Sequence, residues 1–133
     1  METPEVRQRT MRAVKSKDTG PEMWVRRLLH AQGYRYRLHR KDLPGCPDLV
    51  FNSRRKVIFV HGCFWHGHHC VRGNRVPVHN REYWVEKIER NRKRDQTVAR
   101  LLRQLGWERK VIWECSLRYP ERVKSLLDRF LQD

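Results

Sequence analysis

The sequence of 133 residues contains no apolar run long enough to span a membrane, and its N-terminus lacks the apolar core of a secretory signal. It also contains no internal repeat and no low-complexity segment. Acidic residues are scarce, since 15 Asp and Glu stand against 30 Lys and Arg. These absences exclude a membrane-spanning or disordered protein, and we expect one cytoplasmic domain with a modest core.

The resulting net charge of +15 is spread along the whole chain. A small domain with such a field attracts a polyanion, although a basic tail or a solubility device is the alternative. Arginine outnumbers lysine, and its planar guanidinium matches phosphates and base edges. No basic amphipathic segment is suited to lie among lipid headgroups. We therefore expect a nucleic-acid partner and no membrane partner.

The hydrophobic pattern predicts the element order α-β-β-β-α-β-α, which implies a mixed β-sheet flanked by helices. A helix begins at the capping segment of residues 18–22 and ends at Gly33. Residues 1–17 are basic and have few apolar positions, so we predict an N-terminal arm followed by a single domain over 18–133. The strands are predicted at 34–39, 48–51, 56–60 and 107–114, and the remaining helices at 81–105 and 120–131.

Residues 61–70 combine two cysteines, four histidines and two large aromatic side chains. Thiolate and imidazole are the ligands of tetrahedral zinc, and in a chain without a leader a metal site is favoured over disulfides. Unpaired thiols with solvated histidines are the alternative. The candidate ligands are Cys63, His68, Cys70 and Cys115, with His66 and His69 as competitors that spacing alone does not separate.

Asp48 is a candidate magnesium ligand, because it opens a short apolar strand after a Pro-Gly-Cys-Pro turn. The next strand ends at Val60 and His61, twelve residues further along. This spacing resembles nucleases in which an Asp and a residue of the neighbouring strand hold Mg²⁺, although a second acid and a lysine usually stand at the two later positions. A simple turn-capping role for Asp48 is the alternative.

The long predicted helix has an apolar stripe with two polar residues, Asn91 and Asp95, in its middle. A carboxylate on a core-facing stripe is costly unless it has a partner. That partner is either an arginine in a buried ion pair or a catalytic histidine that Asp95 orients. The apolar members of the stripe are Trp84, Ile88, Val98, Leu102 and Leu105.

Together these residues resemble the very-short-patch repair (Vsr) DNA mismatch endonucleases, over about residues 8–118. The resemblance implies a restriction-endonuclease-like fold of the PD-(D/E)XK type, with a mixed β-sheet, flanking helices and a structural zinc site. The matching segments include Leu43-Pro44-Gly45-x-Pro47-Asp48, Phe59-x-His61-Gly62-Cys63-Phe64-Trp65-His66, Arg94-Asp95 and Trp113-Glu114-Cys115. The string from His61 to His66 together with Trp113-Glu114-Cys115 is highly specific, whereas Pro47-Asp48 alone is not.

The resemblance implies a magnesium centre in which Asp48 is the central ligand and the carbonyl group of Val60 is another. The family often has threonine at that second position, and a carbonyl ligand survives its replacement by valine. Glu22 would hold metal-bound water, and His66, supported by Asp95, would activate the attacking water. A further histidine, His61, would lie near the scissile phosphate.

The same resemblance implies a zinc site and a DNA-inserting wedge. It selects four zinc ligands and frees His66 for chemistry, leaving Cys46 and His69 without a role. Apolar rings that enter a duplex unstack bases, which costs least beside a mispair. For Trp84, ordinary core packing is the alternative. The implied zinc ligands are Cys63, His68, Cys70 and Cys115, and the implied wedge consists of Phe64, Trp65 and Trp84.

The function implied is Mg²⁺-dependent nicking of one strand of double-stranded DNA next to a T:G mismatch, as in the repair of deaminated 5-methylcytosine. We expect a monomer associated with the nucleoid, and a basic arm that contacts DNA. One alternative is the same chemistry with another trigger, such as another mismatch or foreign DNA. Others are a non-catalytic zinc-containing DNA-binding module and a ββα-metal nuclease using His68, His69 and Asn80.

Overall fold

The fold is built on a four-stranded mixed sheet with the strand order β1-β2-β3-β4, seen in a computed structural model that describes residues 18–70 and 76–132. The first three strands pair antiparallel, and the fourth pairs parallel with the third. The predicted arm of residues 1–17 lies outside the described residues. The strands are β1 (Arg37–Leu38), β2 (Leu49–Phe51), β3 (Lys56–His61) and β4 (Glu108–Trp113).

In the part of the chain that the structure describes, three α-helices flank this sheet, and a short 3₁₀ helix, Glu114–Arg118, follows β4. The predicted order α-β-β-β-α-β-α and the mixed α/β class are confirmed. Within the described residues, none of the helices is both long and apolar enough to pass through a membrane. The helices are α1 (Gly20–Ala31), α2 (Arg81–Gln104) and α3 (Pro120–Gln132).

The core consists of two apolar layers, one on each face of the sheet. Successive strand side chains point to opposite faces, so Val50 belongs to one layer while its neighbours Leu49 and Phe51 belong to the other. One layer packs against α1 and α3 and includes Val25, Leu29, Leu49, Phe51, Ile58, Ile112, Val123, Leu127 and Leu131. The other packs against α2 and includes Leu43, Val50, Val57, Phe59 and Leu102.

The first strand is shorter than the sequence predicts. The centroids of the Tyr34 and Tyr36 rings lie 6.2 and 5.9 Å from that of Phe51, so the alternating pattern of these residues reflects side-chain packing. Of the predicted strand, only Arg37 and Leu38 pair through the backbone. The strand ends because His39 adopts a left-handed backbone with φ of 48°.

The prediction that Leu105 belongs to the buried stripe of α2 is wrong. Helix α2 ends at Gln104, and the Leu105 side chain is 51% exposed. Gly106 follows with φ of +83°, a conformation that terminates helices and turns the chain toward β4. The periodicity therefore extends one residue of the stripe too far, into the turn.

The parallel pairing of β3 and β4 determines where the functional residues meet. His61 at the end of β3 lies opposite Trp113 at the end of β4, and α2 lies between the two strands in the chain. The carboxyl ends of parallel strands lie at the same edge of a sheet. The Cys- and His-rich segment after β3 therefore lies beside Cys115, which follows β4.

Candidate active site

A cleft of about 520 Å³ opens beside β3 and α2, and Asp48 is one of its lining residues. Asp48 immediately precedes β2, and its Oδ2 accepts a hydrogen bond of 2.7 Å from the main-chain N–H of Val60 on β3. This bond holds the Asp48 carboxyl group at the main chain of Val60, so the two implied magnesium ligands lie together. A turn-capping role does not account for a carboxylate aimed at the neighbouring strand.

Burial raises the pKa of Asp48 to about 7. The Val60 N–H opposes this shift because it stabilises the charged form, whereas the nearby Glu22 carboxylate adds to it by repulsion and hydrogen bonding. The cleft thus contains a desolvated carboxyl group close to a second one. A divalent cation would relieve both the desolvation and the repulsion.

Glu22 lies in the first turn of α1 and is 1% exposed. The main-chain N–H of Glu22 donates a hydrogen bond to the hydroxyl oxygen of Thr19, the N-cap residue. The Oε1 atom of Glu22 accepts a hydrogen bond of 3.1 Å from the main-chain N–H of Asp18. The helix start predicted from residues 18–22 is therefore also what positions this acid. Glu22 is not among the residues that line the cleft.

His39 is a cleft-lining residue that the sequence analysis did not select. Its Nε2 lies 2.9 Å from Oε2 of Glu22 and 3.9 Å from Oδ1 of Asp48. The only local signal is its position, because it follows β1 just as Asp48 precedes β2, and the antiparallel pairing brings the two residues face to face. Sequence spacing alone does not reveal that pairing.

The predicted histidine–carboxylate pair is present on the opposite wall. Nδ1 of His66 lies 2.6 Å from Oδ2 of Asp95, in the middle of α2. Asn91, one helical turn earlier, donates from its side-chain amide to the carbonyl oxygen of Trp65 at 2.9 Å. Both polar residues of the stripe therefore hold the loop after β3, and no arginine is needed to explain Asp95.

His61 stacks on His66, with ring centroids 3.7 Å apart and planes 2° from parallel. Burial and the positive charges of the neighbouring His66 and Arg109 together lower the pKa of His61 to about 3, against an opposing effect of Asp95. His61 is therefore a neutral imidazole at physiological pH. The cations that line the same cleft are Lys41, Arg94 and Arg109.

The four predicted zinc ligands converge at the edge of the sheet. The ligand atoms of Cys63, His68, Cys70 and Cys115 all lie within 4.8 Å of one another, and Sγ of Cys115 is 3.6 Å from Nδ1 of His68. Burial raises the pKa of the Cys63 thiol to about 12, so an isolated thiolate is strongly disfavoured there. Three sulfurs and one imidazole nitrogen match the donor set of structural zinc.

The three predicted wedge residues form one aromatic cluster. The ring of Phe64 lies 5.4 Å from that of Trp65 and 5.9 Å from that of Trp84, between centroids. Trp84 is only 3% exposed and forms the buried side of the cluster. Phe64 and Trp65 are half-buried. The ammonium of Lys87 lies 5.3 Å from the centre of the Trp65 ring.

A half-buried carboxylate bonded to a main-chain N–H, a histidine–carboxylate pair and several cations in one cleft are typical of enzymes that hydrolyse phosphodiesters. Comparison with known proteins identifies the family. The family model described as DNA mismatch endonuclease Vsr matches residues 1–72. The chain belongs to this family of nicking endonucleases, which act on DNA.

Curated relatives resemble nearly the full length of the chain. It is 52% identical to the type II nicking enzyme V.XorIIP of Xanthomonas oryzae pv. oryzae over 130 residues, which cover 95% of both proteins. It is 44% identical to the DNA mismatch endonuclease Vsr of Escherichia coli over 117 residues, 88% of this chain and 74% of that protein. A third relative, V.NmeAIP of Neisseria meningitidis, is 39% identical over 123 residues, 92% of this chain and 87% of that protein.

Proposed function

We propose that this Vsr-family endonuclease nicks one strand of double-stranded DNA next to a T:G mismatch, by Mg²⁺-dependent hydrolysis. The observation that carries the proposal is that the Asp48 carboxyl group and the His66–Asp95 pair line one basic cleft. We also propose a restriction-endonuclease-like fold of the PD-(D/E)XK type, with Asp48 as its first acid. The chain would act as a monomer on the nucleoid, because one nick needs one catalytic centre.

Asp48 and the carbonyl group of Val60 would hold Mg²⁺, which when bound polarises the phosphate and stabilises its developing charge. The buried carboxyl group fits this role because it lacks a full counter-charge. With Nδ1–H of His66 donated to Asp95, Nε2 is the atom that takes a proton from water. Attack of that water on phosphorus breaks the bond to the 3′ oxygen, which takes up a proton, and leaves a 5′-phosphate. The neutral His61 lies beside the phosphate.

We propose that Cys63, His68, Cys70 and Cys115 bind a structural zinc ion. The four residues fit because their ligand atoms all lie within 4.8 Å of one another, close enough to bind a single ion. The thiol of Cys63 is also fully buried. The ion would attach the loop after β3 to the end of β4. A catalytic ββα-type metal at His68, His69 and Asn80 is disfavoured, because His68 lies against a thiol of this set.

The experiment that tests the proposed function is a nicking assay on two duplexes that differ only in one base, a T:G mismatch against a matched C:G pair. We expect nicking of the mismatched duplex to be at least about 100-fold faster, since unstacking beside a mispair costs a few kcal/mol less. Both duplexes are assayed with Mg²⁺ and with EDTA. Equal nicking of both would remove the mismatch claim and favour another trigger, while nicking in EDTA would remove the magnesium claim.

The wedge is tested by the variant Trp65→Ala. We expect it to lower mismatch discrimination at least about tenfold while changing affinity for matched DNA much less, because the ring contributes by entering the base stack and phosphate contacts remain. Tyr119→Ala is the matched control, since Tyr119 is a half-exposed aromatic residue outside the cluster. A parallel fall of discrimination and matched-DNA affinity in Trp65→Ala would show that the ring is structural.

A further inference from the structure

One side chain of the cleft has no role in the proposed chemistry, and it contacts both acids that do. His39 lines the cleft, and its Nε2 is 2.9 Å from Oε2 of Glu22 and 3.9 Å from Oδ1 of Asp48. Glu22 itself is almost fully buried and does not line the cleft. The imidazole is therefore the part of this group through which Glu22 reaches the cleft.

The backbone at His39 is shaped around this contact. Its main-chain N–H donates to the carbonyl oxygen of Asp48 at 3.2 Å, which places the two residues side by side. Its φ of 48° lies in the left-handed region, which residues other than glycine adopt uncommonly, although histidine does so more often than most. Such strain persists only where surrounding contacts maintain it, and it is often found at functional sites.

Glu22 needs this partner because a buried carboxylate must have hydrogen-bond donors. The Asp18 N–H supplies one donor to Oε1. Arg26 is directed mainly at Asp18, at 2.7 Å, and reaches Oε2 of Glu22 only at 3.4 Å. The contact of His39 with Oε2 is therefore shorter than that of Arg26, and it directs this oxygen toward the cleft and Asp48.

We propose that His39 is a positioning residue, which holds Glu22 and Asp48 in the arrangement that binds the divalent cation. The inference rests on the proposed magnesium centre and adds to it a third element, the end of β1. In this arrangement Nε2–H donates to Glu22 and keeps that acid directed toward Asp48. Loss of the donor leaves Glu22 free to turn toward Arg26 and Asp18, away from the cation.

The test compares two amides of different reach. His39→Asn tolerates the left-handed backbone but its amide is too short to contact Glu22, whereas the amide of His39→Gln reaches the position of Nε2. Binding of Mn²⁺ to the zinc-loaded full chain is measured by calorimetry without DNA. We expect affinity to fall about tenfold in His39→Asn and to stay within about threefold of wild type in His39→Gln. In nicking assays, kcat should fall in His39→Asn with KM for DNA unchanged.

His30→Asn is the matched control, since His30 is an exposed histidine of α1 outside the cleft, and we expect it to bind Mn²⁺ as wild type does. Asp48→Asn serves as the reference for the metal centre. If Asp48→Asn loses Mn²⁺ binding but His39→Asn keeps wild-type or tighter binding, the positioning role is wrong and the metal centre stands. If Asp48→Asn also binds normally, the metal centre itself is wrong.

Discussion

Replacing Asp48 with asparagine is expected to slow nicking of T:G duplexes by about 10³-fold or more, since loss of a group that stabilises transition-state charge has effects of this size. Asparagine keeps the shape of the side chain and an oxygen for the Val60 N–H, but it removes the charge that would hold Mg²⁺. The rate constant of nicking is measured under single-turnover conditions, with the enzyme in excess over the duplex. We expect saturating Mg²⁺ not to restore the rate.

The same substitution is expected to stabilise the zinc-loaded, magnesium-free protein at pH 8. Burial raises the pKa of Asp48 to about 7, above its unfolded value, so the wild-type protein is most stable where this group is protonated. That contribution is lost as the pH rises from about 4 through about 7, and the neutral asparagine does not lose it. We expect the free energy of unfolding of Asp48→Asn to exceed that of wild type by about 1–3 kcal/mol at pH 8.

Chemical denaturation of the zinc-loaded protein without added Mg²⁺, at pH 5 and pH 8, measures this difference, and Glu108→Gln is the control because Glu108 is an exposed acid of β4. An inactive but more stable variant cannot owe its inactivity to unfolding. An Asp48→Asn protein that nicks at the wild-type rate would contradict the assignment of this residue. A variant less stable than wild type at pH 8 would contradict the electrostatic argument.

Loss of one zinc ligand is expected to have the second large effect. We predict that Cys115→Ser releases the zinc ion, lowers the melting temperature by about 10 °C or more and abolishes nicking. The physical reason is that Cys115 follows β4 while Cys63, His68 and Cys70 lie in the loop after β3, so the ion joins two separate segments. Without it, the loop that carries His66 and Trp65 would keep only its weaker contacts with this edge, such as the bond of the Cys63 N–H to Glu114 and the stacking of His68 on Trp113.

Zinc content by atomic emission and melting by circular dichroism measure these losses. Cys46→Ser is the matched control, because Cys46 is an exposed cysteine in the turn before Asp48 and lies outside the four-ligand set. It should retain zinc and the wild-type melting temperature. If Cys115→Ser keeps a full equivalent of zinc, or has the same melting temperature as Cys46→Ser, the ion is not bound where we propose.

Much of this architecture is readable from the sequence because it depends on local patterns. The continuous apolar runs of β2 and β3 and the spaced stripe of α2 predict the sheet and its flanking helices. The stripe also reveals Asp95, since a carboxylate between Ile88 and Leu102 requires a partner, and the structure brings it to His66. The spacing of apolar residues alone does not locate the end of a helix, and for this reason the sequence pattern wrongly places Leu105 in the core.

His39 shows what a local pattern cannot reveal. Its chemistry depends on the register between β1 and β2, which sets it opposite Asp48, and on the start of α1, which brings Glu22 beside it. Neither relation has a sequence period, because both are long-range contacts. The proposed zinc ligand Cys115 is identifiable from the sequence only as a cysteine that follows a strand, and the parallel pairing with β3 brings it to the other three residues of the cluster.

Two hydrogen bonds from α2 hold neighbouring residues of the loop after β3. Trp65 and His66 are consecutive residues, and their partners Asn91 and Asp95 are one turn apart on the same rigid helix. A displacement of the Trp65 backbone therefore moves His66 relative to Asp95 as well. In the proposed function, contact of Trp65 with the base stack and proton transfer by His66 would therefore be coupled, and a duplex that does not seat the aromatic ring would also leave the imidazole out of alignment.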